Sequence, residues 1–253
     1  MQPWAWTRLG SILLVSLLAA AEPAMAGVFS VTPVRIYMTP RDRAVAVTIT
    51  NEGDAPVVLQ ADLNQWTQKP DGTDELTPTE DLILSPPIIK LGPKARQVVR
   101  LARLVPPDAI RQLTYRMILR EVPEATPGKD NIQVAIALAL SMPVFITPPS
   151  AKRQIACKTM PADPGNLNVA CSNAGTAYTQ IREILVNEGD RLIGRFEGGP
   201  YILPGAEKVL PIKLERAGLA AAPAGALQLV VTFDDGQTQT YKVGPGVPPP
   251  PGR

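Results

Sequence analysis

The residue types that do chemistry are sparse in this sequence, and one is missing altogether: among 253 residues there is no histidine. That removes the commonest general base and the usual partner of a serine or cysteine nucleophile. The serines and carboxylates form no recognisable triad, and no glycine-rich nucleotide-binding loop is evident, so a hydrolase has little to stand on. Cys157 and Cys171 are the only cysteines. With no histidine or third cysteine to complete a zinc site, the expected product is a disulfide closing a loop that contains Pro161, Pro164 and Gly165. No catalytic residue, no metal and no cofactor is expected.

The backbone hydrogen bond needs no reactive side chain, and residues 131–146 are built to use it. They read NIQVAIALALSMPVFI, with large apolar residues at every even position from Ile132 to Val144. Helical spacing would scatter these around an axis, whereas period two keeps them on one side. Strands usually run about 5 to 6 residues, so one this long has two readings. It is a central strand covered on both faces, or it lies at a sheet edge. There its unpaired N–H and C=O groups and its row of large side chains are a template for another chain's strand.

The elements around this segment are short, alternating or β-branched, and separated by Pro, Gly, Asn and Asp. That is the pattern of an all-β sandwich protein. The N-terminus stands apart: Arg8, the apolar run Ile12 to Ala21 and then Ala24-Met25-Ala26 make residues 1–26 a secretory signal peptide. The run is short of the roughly 20 residues a membrane-spanning helix needs. The remaining chain suits two domains of about 100 to 150 residues. The 25 basic and 23 acidic residues of the full sequence give no reason to expect a nucleic acid partner or direct membrane insertion after signal cleavage.

Seven strands are expected in the first half: Val28–Met38, Ala44–Asn51, Val57–Thr67, Leu82–Ile89, Arg96–Leu101, Leu113–Val122 and Ile132–Ile146, as in an immunoglobulin-like domain. Trp66 is placed in its sandwich core. At Thr147-Pro148-Pro149-Ser150 alternation stops, because consecutive prolines cannot continue a central strand. The expected organisation is a domain over 27–147, a second over 148–244 and a Pro-rich tail over 245–253. In the second domain strands are expected at Arg153–Thr159, Asn168–Ser172, Tyr178–Asn187, Arg191–Phe196, Glu207–Glu215, Ala226–Phe233 and Gln237–Val243. The tetrapeptide NEGD occurs at residues 51–54 and 187–190. The two copies join differently placed strands, so shared turn chemistry rather than a repeat accounts for them.

The order of FSVTPVRIYM, LSPPIIKLGPKARQVVRL, TYRMILREVPE and the long strand ending PVFITPP resembles the periplasmic pilus-assembly chaperones of the chaperone–usher pathway. The resemblance spans nearly the whole exported chain. It implies two immunoglobulin-like β-sandwich domains with a cleft between them. It also implies donor-strand complementation: the long strand completes a pilin subunit whose own final strand is missing, before delivery to an outer-membrane usher. By position in the motif, Val134, Ile136, Leu138 and Leu140 would fill the subunit's groove. Arg35 matches one of the family's two basic anchors for the subunit's C-terminal carboxylate. The second falls on Pro143, a departure that places this chain on a divergent branch. Arg116 is the candidate replacement, since it shares a strand face with Ile118 and Arg120 beside the long strand. The residues that carry an interdomain acid and base in other members are Gln112 and Thr147 here, so an ion pair between those two is not expected. The alternative from a different class is a secreted two-domain adhesive or structural binding module.

Overall fold

The computed structural model describes residues 29–123, 137–160, 162–163, 165–215 and 227–243, and every regular element among them is a β-strand. The fold is all-β, with two immunoglobulin-like sandwiches in sequence.

The single first strand expected from the sequence is two. β1 (Phe29–Thr32) pairs antiparallel with β3 (Ala44–Asn51), while β2 (Ile36–Met38) pairs parallel with β10 (Ala139–Ile146) in the facing sheet. Pro33 has no ladder N–H, so the chain changes sheets there. The same correction applies at Pro86-Pro87. β6 (Leu82–Ser85) joins the sheet of β3 through β8 (Arg96–Arg103), and β7 (Ile88–Leu91) joins β4 (Val57–Gln68) in the other. The first domain is thus a sheet β1-β3-β8-β6 facing a sheet β2-β10-β9-β4-β5, with β9 at Leu113–Glu121 and an unanticipated β5 at Asp74–Pro78.

Period-two alternation decides what each strand buries. Tyr115, Met117 and Leu119 of β9 and Met142, Val144 and Ile146 of β10 enter one core with Val47, Ile49, Leu59, Val99 and Leu101. Trp66, expected in that core, is fully buried elsewhere. It belongs to a separate cluster with Phe145 and Leu203, against Tyr178 and Tyr201 of the second domain. In β4 the core-facing residues Val57 and Leu59 are odd-numbered, so an even-numbered Trp66 points out of the opposite face.

The second sandwich is built from β11 (Ile155–Met160), β12 (Asn166–Asn173) and β16 (Glu207–Lys213) facing β14 (Arg191–Glu197), β13 (Thr179–Glu188), β17 (Leu227–Phe233) and β18 (Thr238–Val243). A two-residue β15 (Tyr201–Ile202), also unanticipated, pairs with β13. Cys157 and Cys171 lie directly opposite each other on β11 and β12 and form the expected disulfide, with Cα atoms 4.1 Å apart.

Candidate functional site

The long strand and the two arginines meet on one sheet. On one side β10 pairs with β9 along its whole length, from Ala139 opposite Arg120 to Ile146 opposite Leu113. On the other it is covered by β2 only from Val144 to Ile146. Among the described residues the edge of Ala139–Pro143 therefore carries no strand. Leu138 precedes β10 and is 40% exposed, while Leu140 already leans on the first domain's own core. Val134 and Ile136 lie outside the described residues.

Register places the arginines. Pro143 is opposite Arg116 on β9, and the parallel pairing of Val144 with Ile36, extended back one residue, sets Pro143 beside Arg35. All three are out of phase with the core residues of their strands, so they share the outer face. With strands about 4.8 Å apart, Arg35 and Arg116 straddle Pro143 at a backbone separation of roughly 10 Å. Their guanidiniums both approach the Tyr201 ring, at 5.7 Å for Arg35 and 5.4 Å for Arg116. Arg116 also lies 3.8 Å from the centroid of Trp66, a cation–π stack that fixes its orientation. Burial pulls the Arg116 pKa below its ordinary value, partly offset by Asp74 and Tyr201. Burial likewise raises Tyr201, against the pull of both arginines.

Arg35 is not free in this state. Its Nη1 lies 3.1 Å from Asp234 Oδ2, in the turn after β17. The same carboxylate accepts a hydrogen bond from the Tyr178 hydroxyl at 3.0 Å, which leaves Tyr37, 2.8 Å from Tyr178 Oη, to donate to that hydroxyl oxygen. Burial first, then the Tyr37 contact and the Asp234 charge, push the Tyr178 hydroxyl well above its ordinary value.

Gln112 and Thr147 form no ion pair; they are joined by a hydrogen bond from Gln112 Nε2 to Thr147 Oγ1 of 2.7 Å. Gln112 Oε1 accepts from the Tyr178 amide at 2.9 Å, so a neutral side chain ties the two sandwiches together. Charged contacts between the sandwiches are made instead by Arg35 with Asp234 and, at 4.0 Å, by Lys208 with Asp74. Sequence reasoning did not single out Tyr178, Tyr201, Asp234 or Phe145. Phe145 stacks on Tyr178 with centroids 4.0 Å apart. Its signal was available: Trp66 and Phe145 are large aromatics on the wrong parity for the sandwich core, which marks a second buried face.

Residues 28–152 match the family described as "Pili and flagellar-assembly chaperone, PapD N-terminal domain". A curated relative, the chaperone protein FimB/FhaD of Bordetella pertussis, is 27% identical over 56% of this chain and 59% of its own length. The chain thus spans about three fifths of that relative. Among solved structures, the CsuC–CsuE chaperone–tip adhesion subunit pre-assembly complex of Acinetobacter baumannii contains a chain with a TM-score of 0.62 and 16% identity, covering 85% of this chain and 98% of that one. A SafA pilin–SafB chaperone complex of Salmonella enterica gives 0.56 and 14%, covering 86% and 97%. At those identities the two structures speak for the fold.

Proposed function

We propose, from the premise that this chain belongs through residues 28–152 to the pili and flagellar-assembly chaperone family, that it is a periplasmic chaperone holding pilin subunits by donor-strand complementation. Residues 1–26 are its cleaved export signal, residues 27–147 the subunit-holding domain and 148–244 the second domain. An outer-membrane usher receives the subunit. The observation that carries this reading is the coincidence of an open strand edge with a basic end: the uncovered edge of β10 stops at Pro143, between Arg35 and Arg116.

A client strand laid along Ala139–Pro143 is collinear with β2. Its C-terminal carboxylate reaches the arginines only if it runs parallel to β10, the direction β2 itself takes. Backbone ladder bonds fix that direction, and two guanidiniums fix the end point through charge-assisted hydrogen bonds. The apolar row Val134, Ile136, Leu138 and Leu140 enters the client's open core, each side chain contributing of order 1.5 to 3 kcal/mol before ordering costs. Leu140 is shared with the holder's own core, so Leu138 is the more exposed donor of the described pair. A better-fitting strand from the next subunit displaces the chaperone, so release needs no nucleotide.

Co-expression with pilins from the same genome, followed by mass analysis of purified complexes, tests the reading. A one-to-one complex lost on Leu138→Glu or Arg35→Ala is expected. Recovery of free protein with every pilin would sink the proposal, and capture unaffected by either substitution would remove the assigned contacts.

A further inference from the structure

The open depression beside Arg35 has a volume of about 690 Å³, and its lining holds three bases, Arg35, Lys152 and Arg153, against two acids, Asp234 and Asp235. Both acids are taken. Asp234 pairs with Arg35 at 3.1 Å and Asp235 with Arg153 at 2.7 Å. Arg153 is further fixed by Gln237 at 2.7 Å and by the Phe233 ring beneath it at 4.4 Å. Lys152 has no acidic partner among the described residues. The depression is short of one negative charge, the charge a single carboxylate brings.

Resting on the chaperone reading above, we propose that Asp234 is a built-in stand-in for the client's terminal carboxylate, and that Lys152 is the reserve cation that receives Asp234 when the client takes Arg35. The Asp234 side chain is only 13% exposed. Withdrawing Arg35 from it leaves a mostly buried acid uncompensated, which is costly unless another cation reaches the same space. Lys152 lines that space, and its ammonium sits on a flexible four-carbon stem that can relocate, whereas the Arg153 fork is already engaged on both sides. With the client bound, three bases face three acids. The exchange also breaks an ion pair between the two sandwiches, so capture is felt at the domain junction.

The test is calorimetric titration of the full chain with a short strand-forming peptide of alternating valine and threonine, once as the free C-terminal acid and once as the amide. Asp234→Asn keeps the shape and the Tyr178 contact while removing the competing charge. It should tighten free-acid binding about fivefold and leave the amide unchanged. Lys152→Gln, on an exposed side chain that folding does not need, should weaken free-acid binding by a similar factor. It should have no effect once Asp234→Asn is present. A Lys152 effect of equal size in both backgrounds means direct contact with the client and overturns the exchange. So does weaker free-acid binding in Asp234→Asn. Equal binding of acid and amide, unmoved by either substitution, overturns the exchange while strand addition stands. Binding by neither peptide removes the chaperone reading and this inference together.

Discussion

Arg116 is the residue on which the proposed carboxylate site can be tested most directly. Pro143, on which the resemblance would place a second base, has neither charge nor N–H. The two positions flanking it across the sheet are both arginines, on the same face and directed at the same ring. The stack on Trp66 holds the Arg116 guanidinium plane in place before any carboxylate binds. Arg116→Ala is therefore expected to weaken binding of a free-acid strand peptide about tenfold, the worth of one charge-assisted contact, while sparing the amide. Arg116→Lys should not restore it, since an ammonium lacks the fork and the stacking face; equal binding by both variants and the parent would remove Arg116 from the site. A second residue-scale expectation concerns Asp235. Burial works against its charge, but the Arg153 and Gln237 hydrogen bonds outweigh it and hold the carboxyl below its ordinary range. The folded value lies below the unfolded one of about 3.9, so its stabilisation is present above that pH and lost as pH falls through the folded value. The difference in Tm between the parent and Asp235→Asn should be largest near neutrality and shrink below about pH 4. A difference that grows on acidification would contradict the pairing.

At the scale of elements, the sequence was read well where period and register alone decide, and badly where a single proline switches sheets. Ala44–Asn51 is a strand with the expected ends, and alternation placed Tyr115, Met117 and Leu119 on one face of β9. By contrast, Val28–Met38 and Leu82–Ile89 read as continuous because their apolar patterns run straight through Pro33 and Pro86-Pro87. Whether such a proline ends pairing or redirects the chain depends on which sheet waits on the far side, and that is tertiary information. The NEGD tetrapeptides are indeed no repeat, but a different correspondence exists. Asn51 at the end of β3 and Asn173 at the end of β12 share the pattern Asn-x-Gly-x-Ala. Each accepts from the amide two residues on at 2.9 Å, through Gly53 and Gly175. Each donates to the alanine carbonyl four residues on, at 2.7 and 2.8 Å, and to the chain crossing over it, at Gly92 and Ile202. Both amides are 1% exposed, so truncation strands several buried backbone groups. Asn51→Ala and Asn173→Ala should each destabilise by about 1 to 3 kcal/mol in denaturant unfolding, by like amounts in the two domains. A loss below a few tenths in either would show that water replaces the amide there.

For the whole molecule the question is what holds two sandwiches at one angle, since an interface of this kind leaves relative motion as the default unless it is well packed. Beside the Gln112–Tyr178 hydrogen bond and the Arg35–Asp234 ion pair, three further contacts answer it. The aromatic cluster centres on Phe145, fully buried between Tyr178 and Trp66. Gln68 donates to the Tyr201 carbonyl and accepts from the Leu203 amide, pinning the end of β4 to β15. The β4–β5 turn reaches the second domain at Gly72. There φ is +79° and an added Cβ would collide with Lys208 Cγ and meet the Glu207 carbonyl at 2.6 Å, so glycine is required on both counts. By register, Phe145, Trp66 and Gln68 all lie on the second-domain side of the arginine row, and Tyr201 of the aromatic cluster meets both guanidiniums, so loss of the cluster should separate stability from binding of the free-acid peptide. Phe145→Ala removes the hub, at a cost of about 3 to 5 kcal/mol. It should split a single calorimetric transition into two, because each sandwich keeps its own core while the coupling between them is gone. Binding of the free-acid peptide should then fall toward that of the amide, since Arg35 and Arg116 no longer share Tyr201 as a fixed point, whereas the amide's own affinity, set by the edge of β10, should change little. A single sharp transition in Phe145→Ala, with acid and amide still discriminated, would show that the remaining interdomain contacts hold the angle without it.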